Sequence, residues 1–533
     1  MGKFRFLIGI SLLYNFFKEM NFLIQIVTPL QMKEIERISD ENGVSYSRLM
    51  DNAGFQLAEK IMEIAGINGR NIFFLCGNGN NAGDCFVAAW HLIENGFNIS
   101  SGLLCGNPKS ELAVKNYNII SEKIKFYTDS DDIKKQIDNA DIICDGIFGT
   151  GFHGDLNDDI KDIFYYINTR TDKIKIAVDV PSGGNCLTGK ISDGILKADY
   201  TVTFAFAKFG MMQYPLHDYC GEILTVPIGV TEDTVKKAVD IPAFIADNEF
   251  ISEKLLPRPN NCHKGNFGRL VNVGGSTKMS GACMMSGKAA LRCGVGILVT
   301  ASAEKSADRT AICIPEGMTV PLKADNDGFI LFDENYQTIM HELKKADAVL
   351  IGCGMGVTED TVKLTEKLIE NADCPLVIDA DGLNCIADRI EIIKRAKHMP
   401  VLTPHPAEMA RLMHCTTAEI QADRYNHAVL FAKKYNCITV LKGAGTVIAS
   451  PDKVFVNING NSGMSRGGSG DVLAGMTASF YAQGFSALDS AVMAVHLHAS
   501  AGDTAKKIFS ECAMLPTDMI NLLGEVFKSD YGL

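Results

Sequence analysis

From about Val27 to its end the chain alternates two apolar patterns, short β-rich runs and longer stretches with helical spacing. In the first half, residues 72–76 (IFFLC) run into GNGNNAGD and residues 140–144 (ADIIC) into DGIFGTG. Residues 176–178 (IAV) run into DVPSGG and residues 201–206 (TVTFAF) into AKFG. Helical spacing lies between them, as in Phe86, Ala89, Trp90 and Ile93, which Asn95 and Gly96 stop. Strands alternating with helices predict a parallel sheet, and such sheets bind ligands beyond the carboxyl ends of their strands. Asn81, Asp84, Asp145, Asp179 and Ser182 fall there.

The second half repeats the plan. Residues 270–273 lead to GGSTKMSGA, 348–351 to GCGMG, 376–378 to DADGLN, 401–402 to TPHPAE, and 438–441 to KGAGT. A charged, helix-like stretch over residues 232–240 forms the connection, and the strand pattern resumes near Ala243. The division expected is an extension over residues 1–26, a first domain over 27–235 and a second over 236–533. No segment recurs between the halves closely enough to mark a duplication, so two sheets with different chemistry are expected.

Residues 463–475, GMSRGGSGDVLAG, carry the sharpest chemical signal. A glycine-dense loop opens into a helix-periodic apolar stretch (Val472, Leu473, Met476, Phe480) with Asp471 at the junction. The amides of a helix start are unpaired and carry the positive end of the macrodipole, which suits a phosphate or an oxyanion. Asp471 stands where it could take a proton from a hydroxyl beside that anion. The plainer alternative is a glycine turn whose acid stabilises its own helix.

Composition narrows the partners. With 533 residues, 47% hydrophobic and 21% charged, the chain can build more than one core. A net charge of -12 argues against nucleic acid and offers no basic surface to an anionic membrane. Sixteen cysteines are scattered, without metal-type spacing, so buried thiols in a reducing cytoplasm are expected and a zinc site is not. Lys3 and Arg5 precede FLIGISLLYNFF, a run like a short signal peptide or weak anchor. Asn15, Lys18 and Glu19 interrupt it and Met20 offers another start, so an upstream start codon or a loose extension is the favoured reading.

The motifs carry a resemblance. HKGNFGRLVNVGGS, SGA, PE, DADGLN, TPHPAE, LKGAGT and GGSGD make the second half similar to the ADP/ATP-dependent NAD(P)H-hydrate dehydratases of the ribokinase-like superfamily. NNAGD, DGIFGTG, DVPSG and TFAFAKFG make the first half similar to the NAD(P)H-hydrate epimerases, in the order of a fused repair enzyme. The sequence departs from these families at Ala82 and Cys85, within their usual NNGGDG, at Ser469 for threonine, and at Cys353 for proline. The resemblance implies an α/β protein of two domains: a Rossmann-like three-layer α/β/α domain, then a ribokinase-like α/β domain.

It also implies repair of NADH and NADPH hydrates (NADHX and NADPHX). The first half would interconvert the R and S hydrates. The second would dehydrate the S form at the expense of ADP, giving AMP and phosphate. The dehydratase site would comprise Asp471 as base, with Ala282, Gly354, Gly356 and His405 lining the hydrate. Lys442, Gly443, Ala444, Gly445 and Thr446 would bind the nucleotide, and Gly468, Ser469 and Gly470 the transferred phosphoryl group. Mg²⁺ would come with the donor. In the epimerase half the hydrate would meet Asn80, Asn81, Ala82, Gly83 and Asp84. It would also meet the loop Gly149, Thr150, Gly151, Phe152, His153, Gly154 and Asp155, and Asp179. Asp179 would transfer the proton with Lys208 as its partner, and K⁺ would sit at Asn81, Asp145 and Ser182. A homo-oligomer without nucleic-acid or membrane partners is expected. Taken alone, Asp179 could be structural, Lys442 a surface charge and His405 a turn former. The rival readings are a vitamin or sugar kinase, and a non-catalytic N-terminal binding module.

Overall fold

The computed structural model describes residues 24–533 apart from residues 67 and 68, so most of the extension expected over residues 1–26 lies outside the described residues. Two compact units are present, Gln25–Ala243 and Phe244–Leu533.

The first unit holds a seven-stranded sheet of β2 (Asn71–Cys76), β3 (Asn98–Leu103), β4 (Lys125–Tyr127), β5 (Ile142–Gly146), β6 (Ile174–Val178), β7 (Tyr200–Phe204) and β9 (Glu222–Val226). Its order is β4-β3-β2-β5-β6-β7-β9 and every neighbouring pair is parallel. The chain therefore winds outward from β2 in one direction and from β5 in the other. Such a reversal opens a crevice at the carboxyl ends of the two central strands. Beside this sheet, β1 (Ile24–Val27) and β8 (Ala207–Lys208) pair in parallel, with Val27 opposite Lys208. The chain then turns at Thr28, whose side chain shares a capping box with Gln31, and enters helix Pro29–Glu41. Helix Asn80–Glu94 buries Cys85, Phe86, Ala88, Ala89 and Leu92 against the sheet, with Trp90 and Ile93 only partly covered. Its neighbour, helix Tyr46–Ala65, approaches closely because residue 54 is glycine: a Cβ there would lie 2.4 Å from the Cβ of Val87.

The chain passes between the units through β10 (Ala243–Ile245). The second unit's sheet comprises β11 (Arg269–Val273), β12 (Ile297–Ala303), β13 (Met318–Leu322), β14 (Ala348–Ile351), β15 (Leu376–Ile378), β16 (Val401–Leu402), β17 (Ile438–Leu441), β18 (Thr446–Ala449) and β19 (Val454–Asn457). The order β13-β12-β11-β14-β15-β16-β17-β18-β19 winds outward from β11 and β14 as the first sheet does from β2 and β5. Here only β11 to β17 are parallel, and β18 and β19 fold back antiparallel. Helix Ser469–Ala482 runs through the core with almost every residue buried. Burying a side chain such as Phe480 contributes on the order of 1.5–3 kcal/mol. Gly475 lets this helix touch helix Ser280–Arg292, since a Cβ there would meet the Ser286 carbonyl at 2.0 Å. Among the described residues no helix is long and apolar enough to cross a membrane. All sixteen cysteines are free, and eleven are buried.

Candidate active sites

In the first unit the site assembles where β2, β5, β6 and β7 end. Asp179 follows β6 in a left-handed conformation, φ +68°, which a non-glycine residue adopts only when its surroundings hold it. Its Oδ1 accepts hydrogen bonds from Lys208 Nζ, Thr203 Oγ1 (3.2 Å) and the Phe204 amide (3.4 Å). Lys208, 1% exposed, also donates to Thr203 Oγ1 at 2.8 Å and the Phe204 carbonyl at 3.2 Å, so a buried charge is fully partnered. A Cβ on Gly149 would lie 3.4 Å from Asp179 Oδ2 and 3.5 Å from Asn81 Oδ1, so these three residues converge.

Asp145, wholly buried at the end of β5, accepts from the Ser182 amide (2.8 Å), the Ser182 hydroxyl (2.6 Å) and the Ile147 amide (3.2 Å). Burial raises its pKa to about 6, and the two Ser182 bonds oppose that rise. Asn81 donates from Nδ2 to the Val178 carbonyl at 3.1 Å, which leaves its Oδ1 on the Gly149 side. Of the loop after β5, Phe152 packs on Phe148 with ring centroids 5.0 Å apart. Gly151, His153, Gly154 and Asp155 are exposed, and no hydrogen bond among the described residues ties them to Asp179. Ala82 sits inside the helix with ordinary φ, and Cys85 fits because residue 146 is glycine: a Cβ there would meet its Sγ at 2.1 Å.

In the second unit Gly468, at φ +101°, caps helix Ser469–Ala482 and places Asp471 in its first turn. Burial, then the nearby Asp379 charge, raises the pKa of Asp471 to about 6, while a hydrogen bond from the Cys353 thiol opposes the rise. Lys442, after β17, donates to Asp379 Oδ1 at 2.7 Å and lies 3.7 Å from Glu408. Burial works against its charge, but Asp379 and Glu408 outweigh it and its pKa ends above the usual value. A Cβ on Gly470 would lie 3.3 Å from Lys442 Nζ, so the glycine loop and this lysine adjoin. Gly354 packs on Ala282, 2.9 Å from its own absent Cβ, and the Gly356 amide donates to Asp381 at 2.8 Å. His405 does form a turn: its Nδ1 accepts from the amides of Ala407 (3.1 Å) and Glu408 (3.2 Å), capping helix Pro406–Met413. Its half-exposed ring places Nε2 3.4 Å from Glu408 Oε1, and burial followed by Lys442 lowers its pKa. In the loop after Lys442, Thr446 closes on the Gly443 carbonyl at 2.7 Å.

Three contributors, Arg424, His498 and Glu36, lie outside the sequence motifs, and a fourth, Asp84, belongs to NNAGD. Arg424, buried, ties the carbonyl of Leu441 at 2.9 Å and those of Lys442 and Gly445 at 3.4 Å, so it shapes the expected nucleotide loop. His498, buried and pushed down to about 4, faces Ser469 at 3.4 Å. In the first unit Glu36 shares the electrostatic field of Asp179 and Lys208, and burial, then Asp179, raises its pKa to about 7. Asp84 is raised well above its usual value by burial, then by Asp179 and Glu36. Of the three outside the motifs, Glu36 carried the one sequence signal, an acid next to the buried Ile35 on an amphipathic helix.

Comparison with known proteins gives the family. The NAD(P)H-hydrate dehydratase family profile matches residues 270–524, and that of the YjeF-related protein N-terminus matches residues 46–210. The bifunctional NAD(P)H-hydrate repair enzyme Nnr of Moorella thermoacetica is 32% identical over 517 residues, 95% of this chain and 97% of that protein. The enzyme of the same name from Escherichia coli K12 is 32% identical over 496 residues, 92% of each chain. Among solved structures, the ADP/ATP-dependent NAD(P)H-hydrate dehydratase of Bacillus subtilis, co-crystallised with ATP and Mg²⁺, is 27% identical, with a TM-score of 0.46. It covers 54% of this chain and 98% of its own. With both profiles in order and near-complete coverage by these relatives, the chain belongs to the family of bifunctional NAD(P)H-hydrate repair enzymes.

Proposed function

We propose that the two units repair hydrated nicotinamide cofactor in succession, the first domain (residues 27–235) as epimerase and the second (residues 236–533) as ADP-dependent dehydratase. The observation that carries the dehydratase reading is Asp471, half-buried with its pKa raised to about 6, at a glycine-fronted helix start beside Lys442. A base tuned toward neutrality is suited to take the proton of the 6-hydroxyl. The freed oxygen attacks the β-phosphorus of ADP, and the bond to the AMP oxygen breaks. The Gly468–Gly470 amides and Lys442 then face the charge on the transferring phosphoryl group. Loss of the C5 proton and of phosphate from C6 restores the C5=C6 bond. Asp379, Glu408 and Asp471 face the single Lys442. A bare polyphosphate would be repelled there, and Mg²⁺ fits as its companion, screening the donor's charge.

In the epimerase half, Asp179 moves the proton and Lys208 holds its carboxylate in place. Asn81, Asp145 and Ser182 would hold K⁺, because the set offers only oxygens and one formal charge. The Asn81 Oδ1 left free by the Nδ2 bond supports that fit. Mixed R and S hydrate, ADP and Mg²⁺ given to the full chain should be consumed completely, with return of the reduced nicotinamide absorbance and release of AMP. A stable phosphorylated hydrate would favour the kinase reading, and persistence of the R form would remove the epimerase.

A further inference from the structure

Three side chains from separate parts of the second unit meet at its site: Cys353 in the turn after β14, Asp379 after β15, and Asp471 on the helix start. One ligand atom from each lies within 4.8 Å of the other two. Cys353 is wholly buried and Asp379 is 1% exposed. The side-chain bonds to Asp379, from Thr403 (2.7 Å) and Lys442 (2.7 Å), both end on Oδ1. Among the described residues no donor reaches Oδ2, which faces Gly470, 3.9 Å from where a Cβ would stand. A carboxylate oxygen of an almost wholly buried residue is thus left open beside a thiol and a second carboxylate.

We propose that Cys353, Asp379 and Asp471 form a site for one soft divalent cation of the zinc class, and that its binding blocks the dehydratase. Metal–sulfur and metal–oxygen distances of ~2.3 Å and ~2.1 Å set tetrahedral ligand separations of ~3.5 Å, within a modest side-chain adjustment of the arrangement seen. Binding forms a bond to sulfur and sends the thiol proton to solvent. Thiolate and two carboxylates concentrate negative charge that Lys442, shared with Glu408, does not offset and that a divalent cation would. The thiolate selects Zn²⁺ or Cd²⁺ over Mg²⁺, which takes oxygen ligands. A fourth position stays open to water. Asp471, once ligated, shares its charge with the cation and becomes too weak a base to take the hydroxyl proton.

The test uses the full chain with its accessible thiols, Cys105, Cys262, Cys313, Cys415 and Cys512, changed to serine, and Cd²⁺ as probe. The expected result is one Cd²⁺ per chain, a thiolate-to-cadmium absorption band, one proton released, and no displacement by excess Mg²⁺. Cys353→Ser should abolish the band, and Asp379→Asn should keep a band but weaken binding by more than the roughly tenfold typical of losing an outer partner. Zn²⁺ should stop dehydration and leave epimerisation running. The proposal is overturned by a band that survives Cys353→Ser, by displacement with Mg²⁺, or by the absence of any band. Should Cys353→Ser not fold, unchanged affinity in Asp379→Asn overturns it alone. None of these binding readouts depends on the dehydratase reading.

Discussion

The two units share a winding plan and use it differently. In each, the strand order reverses next to the first long parallel strand, at β2 and β5 or at β11 and β14. In each, a lysine from a later strand end holds an aspartate: Lys208 with Asp179, and Lys442 with Asp379. A left-handed non-glycine residue marks both places, Asp179 at φ +68° and Ala380 at φ +50°. The lysines differ in what is left over. Lys208 is saturated by Asp179, Thr203 and the Phe204 carbonyl, so it positions a carboxylate and has nothing to offer an anion. Lys442 has one hydrogen bond, a second acid at 3.7 Å, and a glycine-rich helix start beside it. The first site suits proton movement on an uncharged ring, and the second suits phosphoryl transfer. Topology supplies the place and the loops supply the chemistry.

Exchanging one acid in each site should break this comparison most sharply. Asp471→Asn is expected to lower dehydration by at least roughly a hundredfold in a folded protein, with R and S hydrates still equilibrating. Near-normal dehydration, read from reduced-nicotinamide absorbance with ADP, would remove Asp471 as the base. Asp179→Asn should give the mirror result: epimerisation lost, hydrate still bound, dehydration of pre-formed S hydrate unchanged. Chiral separation of the hydrates over time reads this directly, and an effect on dehydration would mean the sites are not independent.

A smaller effect is expected for Asp145→Ala. Removing the one charged oxygen of its set should weaken binding of K⁺ and hydrate together, seen as a flattened potassium titration of epimerisation. Unaltered dependence would make Asp145 a structural acid that holds Ser182.

The smallest effect concerns Glu36, whose pKa is raised from 4.5 to about 7 in the folded chain. A raised carboxyl pKa means that the folded state holds the proton more tightly than the unfolded state, so stability falls as pH climbs from 4.5 to about 7 and then levels off. Glu36→Gln should flatten that fall. Thermal unfolding of the first unit across this range checks the sign. An unchanged slope would assign the pH dependence to other acids of the cluster, such as Asp84, which Asp179 and Glu36 also push upward.

Much of this was legible along the chain. The strand runs before GNGNNAGD, DGIFGTG, DVPSGG and AKFG, and those before DADGLN, TPHPAE and KGAGT, became strands with the polar residues at their carboxyl ends. The reason is local: period and turn residues act over a few positions. Asp471 at a helix start could be read for the same reason. The antiparallel return of β18 and β19 was not foreseen, because pairing direction depends on where the edge of a sheet lies.

What the sequence by itself determined was therefore the alternation, the positions of the glycine loops and the residue types offered at each strand end. Which of those residues meet was decided only by tertiary structure. Cys353, Asp379 and Asp471 are far apart in the chain, and metal-type spacing gave no hint of their cluster. Glu36 reaches the Asp179–Lys208 pair through the pairing of β1 with β8, and Arg424 reaches the loop after β17 from its own helix. Protonation is the last quantity fixed. Burial raises Glu36, Asp84, Asp145 and Asp471, neighbouring charge adds to the rise in all but Asp145, and neither exists until the sheet has closed around them.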